Sequence, residues 1–126
     1  MKDMVKQIMA FESGELDEDS VSDRATKGGS KMTRLRFYVG LHGPHQELVS
    51  HKSGQNYLIR VYGAYTATPA DGAWQGTREP SVVYEVLSER PVMRAEAAED
   101  AAHLRDLCRQ QSVLYTVETC VPGGFV

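Results

Sequence analysis

The chain has 126 residues, 41% of them hydrophobic and 25% charged, with a formal net charge of −3. That length supports one domain with a core of its own, and the mild acidity argues against the basic footprint of a nucleic-acid-binding protein. No stretch reaches the ~18 apolar residues of a membrane span and no long apolar leader opens the chain. The two cysteines, Cys108 and Cys120, are too few for a disulfide scaffold, so the expectation is a cytoplasmic protein with two reduced thiols.

In chain order, residues 1–30 read as a helical N-terminal arm and linker, and residues 31–126 as the domain. Met4, Val5, Ile8 and Phe11 fall on one face of a short helix over 3–11. The acidic run ELDEDSVSDR follows with little apolar surface. Residues 26–32, TKGGSKM, read as a flexible joint. Residues 34–41 form a strand in which Leu35, Phe37, Val39 and Leu41 alternate with Arg34, Arg36, Tyr38 and Gly40. The HGPH run at 42–45 breaks it.

Ser50 is placed to cap a helix over 51–62 lined by Leu58, Val61 and Tyr62, with Ile59 at the flank. Gly54 should weaken that helix by roughly 1 kcal/mol relative to alanine. Gly63 stops it. The run NYLIRVY would also suit a strand.

Residues 64–87 are the stretch around which the chain is organised. They read as two alternating strands joined through a glycine-rich arm, with Asp71-Gly72 as the turn pair. Trp74, the only tryptophan, sits at the tip, close to Arg78-Glu79-Pro80. A loop at 88–94 leads to a helix over 95–111. Its stripe is Ala97, Ala101, Leu104 and Cys108, and Glu96, Glu99 and Asp100 load its first turns in keeping with the helix dipole. Residues 112–119 form the last strand, and 121–126 read as a loose end or an edge contact.

The order β–α–β–β–α–β defines an α+β, ferredoxin-like plan: a four-stranded antiparallel sheet with two helices on one face. The open face should carry Arg36, Tyr38 and either Tyr84 or Tyr115. Such a face is expected to be covered in a homo-oligomer.

Over residues 34–119, Tyr65-Thr66, Gly72, Trp74, Gly76, Glu79-Pro80-Ser81 and Glu85-Val86, together with Val113, Leu114, Thr116 and Glu118, form a pattern. It resembles a group of small ferredoxin-like proteins of unknown function from bacteria and their phages. The resemblance implies the fold and brings no activity. Residues 9–20, MAFESGELDEDS, resemble the opening of short phage-encoded polypeptides. Together these imply a phage or prophage gene.

His42, His45 and His51 fall within ten residues, yet only Glu47 has ligand spacing with them, so a solvated loop outweighs a metal site. Ser81 lacks the elbow sequence of a nucleophile and reads as a turn hydroxyl. Cys108 lies on a core stripe. The glycines of KGGSKMT lead into a strand rather than a helix, which fails the context of a phosphate loop. No catalytic residue, metal or cofactor is therefore assigned. The ligand-binding candidates are Arg36, Tyr65, Trp74, Arg78 and Glu79, aromatic faces for a base and guanidinium groups for phosphate. The expected function is a non-catalytic phage or prophage binding protein. It would sequester a small anionic, nucleotide-type host signal in an oligomer, as a counter-defence device. The alternatives are a module that binds and inhibits a host protein, and a small acid/base enzyme using His42, His45 or Glu79.

Overall fold

The computed structural model describes residues 30–126. The expected helix over 3–11, the acidic run and the first part of the joint lie outside the described residues. The elements are β1 (Ser30–Gly40), α1 (Lys52–Tyr62), β2 (Thr66–Trp74), β3 (Thr77–Ser88), α2 (Arg94–Leu107) and β4 (Leu114–Gly123). They form one antiparallel sheet in the order β2-β3-β1-β4, the ferredoxin-like arrangement that the element order implies.

Register explains which residues go inside. In β1, Leu35, Phe37 and Val39 are fully buried. Their partners on β3 are Val86, Tyr84 and Val82, so these share the helix-covered face. Leu58 of α1 and Ala97, Ala101 and Leu104 of α2 close the core from above. The open face receives Arg34, Arg36 and Tyr38 from β1, Val83 and Glu85 from β3, and Leu114, Thr116 and Glu118 from β4. Arg34 pairs with Glu118 at 2.8 Å and Arg36 with Glu85 at 3.0 Å, the cross-strand charge matching that strand sequences favour. Tyr84 and Tyr115 are both opposite Phe37. Both therefore face the helices, not the open side expected for one of them.

Several boundaries move for identifiable reasons. Residues 30–32, expected in the joint, belong to β1 because Ser30, Lys31 and Met32 pair with Gly123, Pro122 and Val121. The same pairing orders the tail. The register shifts between Met32 and Arg34, and Cys120 absorbs the extra residue at φ 59° as a β-bulge. The hairpin turn lies at Gln75-Gly76, with φ 51° and 81°, the two positive angles of a type I′ turn. Asp71-Gly72 is not the turn: Asp71 pairs with Pro80 and Gly72 with Glu79 inside the ribbon. Helix α2 stops at Leu107, earlier than expected, because Arg109 adopts φ 54° and turns the chain toward β4.

Two of the carboxylates that load the first turns of α2 are inside. Glu96 is 1% exposed and pairs with Arg90 at 2.7 Å. Asp100 is fully buried and accepts hydrogen bonds from the hydroxyls of Tyr57, at 2.5 Å, and Tyr62. Burial first, then the bond to Asp100, pushes both tyrosine hydroxyls far above the ordinary phenol value of 10.0. Below that value both the folded and unfolded chains keep these protons. Above it the unfolded chain ionises first, so native stability should fall as pH rises past 10. Urea midpoints measured at successive pH values from 8 to 11 should stay level and then drop.

Gly54 is buried in α1 for a packing reason. A Cβ there would sit 2.7 Å from Cys108 Sγ and 3.1 Å from Leu104 Cδ2, so the glycine lets α1 approach the end of α2. Gly54→Ala gains about 1 kcal/mol of helix propensity but overpacks a tight contact, at a cost of about 1–3 kcal/mol. The expected result is net destabilisation in a chemical-denaturation series, against the propensity ranking. Cys108 is packed in the same contact, and burial pushes its thiol up to about 11, which leaves little thiolate at neutral pH.

Candidate functional site

The functional candidates converge where the β2–β3 ribbon leans past the end of β1. A cleft of ≈ 670 Å³ opens there, lined among others by Tyr38, Gly40, Trp74, Arg78, Glu79 and Gln110. That volume suits a small organic ligand. The alternation of the strands brings several of these groups to one side, while Arg78, opposite Ala73, takes the other side of the ribbon together with Asp71. Gly72, Trp74 and Glu79 take the open side of the ribbon, the side that Tyr38 and Gly40 take on β1. Ser81, read from sequence as a turn hydroxyl, is a β3 residue opposite Gly40 and also lines the cleft. Trp74 is 46% exposed, half covered and half presented to the opening.

The floor of the cleft is held from below. His51 is 7% exposed, with Nε2 2.8 Å from the Gly40 carbonyl and Nδ1 2.7 Å from the Tyr84 hydroxyl. A carbonyl only accepts, so Nε2 carries the proton. Nδ1 then accepts from Tyr84, whose oxygen accepts in turn from Gln55 Nε2 at 3.1 Å. Both ring nitrogens of His51 and the Tyr84 hydroxyl are thus partnered, and a satisfied buried network of this kind fixes geometry. Burial pushes the Tyr84 hydroxyl up, so it stays a donor. His51 therefore anchors Gly40 rather than joining His42 and His45: His45 is exposed and His42 half-buried. The loop after β1 is fixed separately. The Glu47 carboxylate accepts from the His45 N–H at 2.9 Å and pairs with Arg109 at 2.8 Å.

Charge in the cleft is uneven. Arg78 is held by Asp71 at 2.7 Å, not by its neighbour Glu79. Arg36 is engaged by Glu85 and lies farther along the open face. Tyr65 packs edge-on against Tyr84, ring centroids 5.4 Å apart, against the core and away from the cleft. Of the five sequence candidates, Trp74, Arg78 and Glu79 line the cleft; Arg36 and Tyr65 do not. Glu79 is half-buried and has no hydrogen-bonding or ionic partner among the described residues. Its carboxylate lies directly over Gly40, so close that a Cβ there would collide with it.

Sequence reasoning missed Gly40, Tyr38 and Gln110 as site residues. Tyr38 was legible as an open-face aromatic. Gly40 and Gln110 carried no signal, because what matters about them is their approach to Glu79 across distant parts of the chain.

The fold and cleft define a small ferredoxin-like protein with a ligand-sized opening on the uncovered side of its sheet. No family model and no curated protein matches the sequence. Among solved structures, the chain is similar to a phage SAM lyase in complex with S-methyl-5′-thioadenosine, with a TM-score of 0.52 and 14% identity over 81% of this chain and 90% of that one. A phage SAM lyase in its apo state gives a TM-score of 0.52 and 15% identity over 83% and 92% of the two chains. At such identities the likeness shows a shared fold. No helix among the described residues is long and apolar enough to cross a membrane.

Proposed function

We propose that this protein is a phage or prophage protein that takes an S-adenosyl sulfonium into the cleft beside Trp74 and breaks one of its carbon–sulfur bonds. The observation that carries the reading is a carboxylate, Glu79, without a partner among the described residues, in an aromatic-lined cleft whose arginine is paired with Asp71. That charge balance suits a cationic nucleoside better than the anionic one the composition of the arm first suggests. A sulfonium gains from the faces of Trp74 and Tyr38 by cation–π attraction. The adenine ring has the planar shape that stacks on such side chains.

The chemistry asks little of the protein. A sulfonium carries its own leaving group: when a C–S bond breaks, its electron pair returns to sulfur and the positive charge disappears. The carbon fragment is completed by a nucleophile within the same ligand, or by loss of a neighbouring proton to a base. A site that holds the reactive conformer and excludes water supplies the main advantage. The phage SAM lyases that share this fold act on a ligand of this class by name.

The second reading is sequestration without turnover. It is favoured by the scarcity of acid/base groups in the cleft, where Glu79 supplies the one carboxylate and His42 the one imidazole among the described lining residues. Self-association belongs to both readings. Leu114 is 61% exposed and Leu87 40% exposed, and both lie on the open side of the sheet that a second copy would cover.

Incubation of the purified protein with S-adenosylmethionine, followed by chromatography, separates the readings. S-methyl-5′-thioadenosine accumulating beyond one equivalent supports the lyase. Stoichiometric recovery of intact ligand after denaturation supports sequestration. The absence of both binding and turnover would overturn the proposal.

A further inference from the structure

The cleft contains a second, finer feature than its charge. Gln110 lies in the turn between α2 and β4. Its Nε2 donates to two backbone carbonyls, that of Cys108 at 2.9 Å and that of His42 at 3.2 Å. Both partners can only accept, so the amide nitrogen must face them and the orientation of the group is fixed. The remaining atom, Oε1, is turned into the cleft over Gly40, where a Cβ would lie 2.6 Å from it. The Glu79 carboxylate crowds the same point from β3. Two oxygen acceptors therefore converge over one glycine, and no described side chain donates to either from within the cleft.

Two converging acceptors repel each other, and in an opening that water can also reach, a donor placed between them makes the better partner. A sulfonium has no N–H and cannot serve both. A primary ammonium has three donors and a full positive charge, and can give one bond to the carboxylate and one to the amide oxygen. Glycine at position 40 leaves room for the two oxygens to approach each other. We propose that Glu79 and Gln110 form a subsite for a primary ammonium, which recognises the amino-acid end of an adenosyl ligand while Trp74 and Tyr38 face its sulfur-bearing centre. This rests on the adenosyl reading above and assigns the part of the ligand that gives it specificity. Gln110 is a specificity residue here, with its approach set by the two carbonyls that hold its nitrogen.

The test is calorimetric and uses two ligands that carry no sulfonium and so are not cleaved by the proposed reaction. S-adenosylhomocysteine carries the ammonium; S-methyl-5′-thioadenosine lacks it. The native protein should bind the first at least ten times more tightly than the second. Glu79→Gln keeps the shape but removes the charge and presents an amide, and should erase most of that difference, with the loss falling on S-adenosylhomocysteine. Gly40→Ala, which pushes both acceptors aside, should do the same, and circular dichroism of both variants verifies that the fold is retained. Equal affinity of the two ligands for the native protein, or an equal loss for both in Glu79→Gln, would overturn the ammonium subsite while leaving the adenosyl reading intact. If the native protein binds neither ligand, the adenosyl reading fails and the subsite falls with it.

Discussion

Asp100→Ala is expected to destabilise the protein by about 3–4 kcal/mol, enough to leave much of the chain unfolded at physiological temperature if its stability is ordinary. Asp100 is fully buried on α2 and both of its oxygens accept from tyrosines on α1, Tyr57 and Tyr62. Truncation strands the hydroxyls of buried Tyr57 and half-buried Tyr62 and removes both of their bonds to a charged acceptor; an unsatisfied buried polar group costs about 1–3 kcal/mol. It also removes a polar link between the helices at the end of the interface opposite the Gly54–Cys108 contact. Asp100→Asn keeps one acceptor oxygen and should cost less than half as much. Equilibrium denaturation in urea measures both. Equal and small effects for the two variants would show that the tyrosines find other partners.

Gly40→Val is expected to abolish ligand binding while leaving the melting temperature within a few degrees of the native value. Gly40 lies at the end of β1 with an ordinary strand conformation, so a β-branched residue suits its backbone. The difficulty lies above it. A Cβ meets the ends of two flexible side chains, Glu79 and Gln110, which can swing away at small cost to stability. The valine methyl groups then occupy the floor of the cleft, beneath any ligand that uses Trp74. A loss of affinity of at least a hundredfold with an unchanged fold separates a binding role for this floor from a structural one.

The architecture was legible because the alternation of β1 and β3 is strong: Leu35, Phe37 and Val39 against Arg34, Arg36 and Tyr38 left little choice of face. Helix α1 was ambiguous with a strand by composition. It is settled by Gly54, which packs on Cys108, and by Tyr57 and Tyr62, which reach Asp100. None of these is a local property. The turn was misplaced because Asp-Gly is a stronger hairpin signal than Gln-Gly, while the register that chooses between them is set by Val82, Tyr84 and Val86 packing far from the tip. In the sequence Glu96 and Asp100 read only as acids matching the helix dipole, since their partners, Arg90, Tyr57 and Tyr62, are identified only once the helices are packed. Trp74, Arg78 and Glu79 could be chosen from their clustering in sequence. Arg36 and Tyr65 could not be excluded without knowing that Glu85 engages one and Tyr84 packs against the other.

Trp74 is the only tryptophan in the chain and it borders the cleft, so its fluorescence reports on this site without a label. Titration with S-methyl-5′-thioadenosine, excited at the red edge of the indole band to limit absorption by adenine, tests the account directly. A saturable change in intensity that is lost in Gly40→Val is the predicted result. A spectrum that does not respond up to millimolar ligand, in a protein that still unfolds cooperatively, would contradict it.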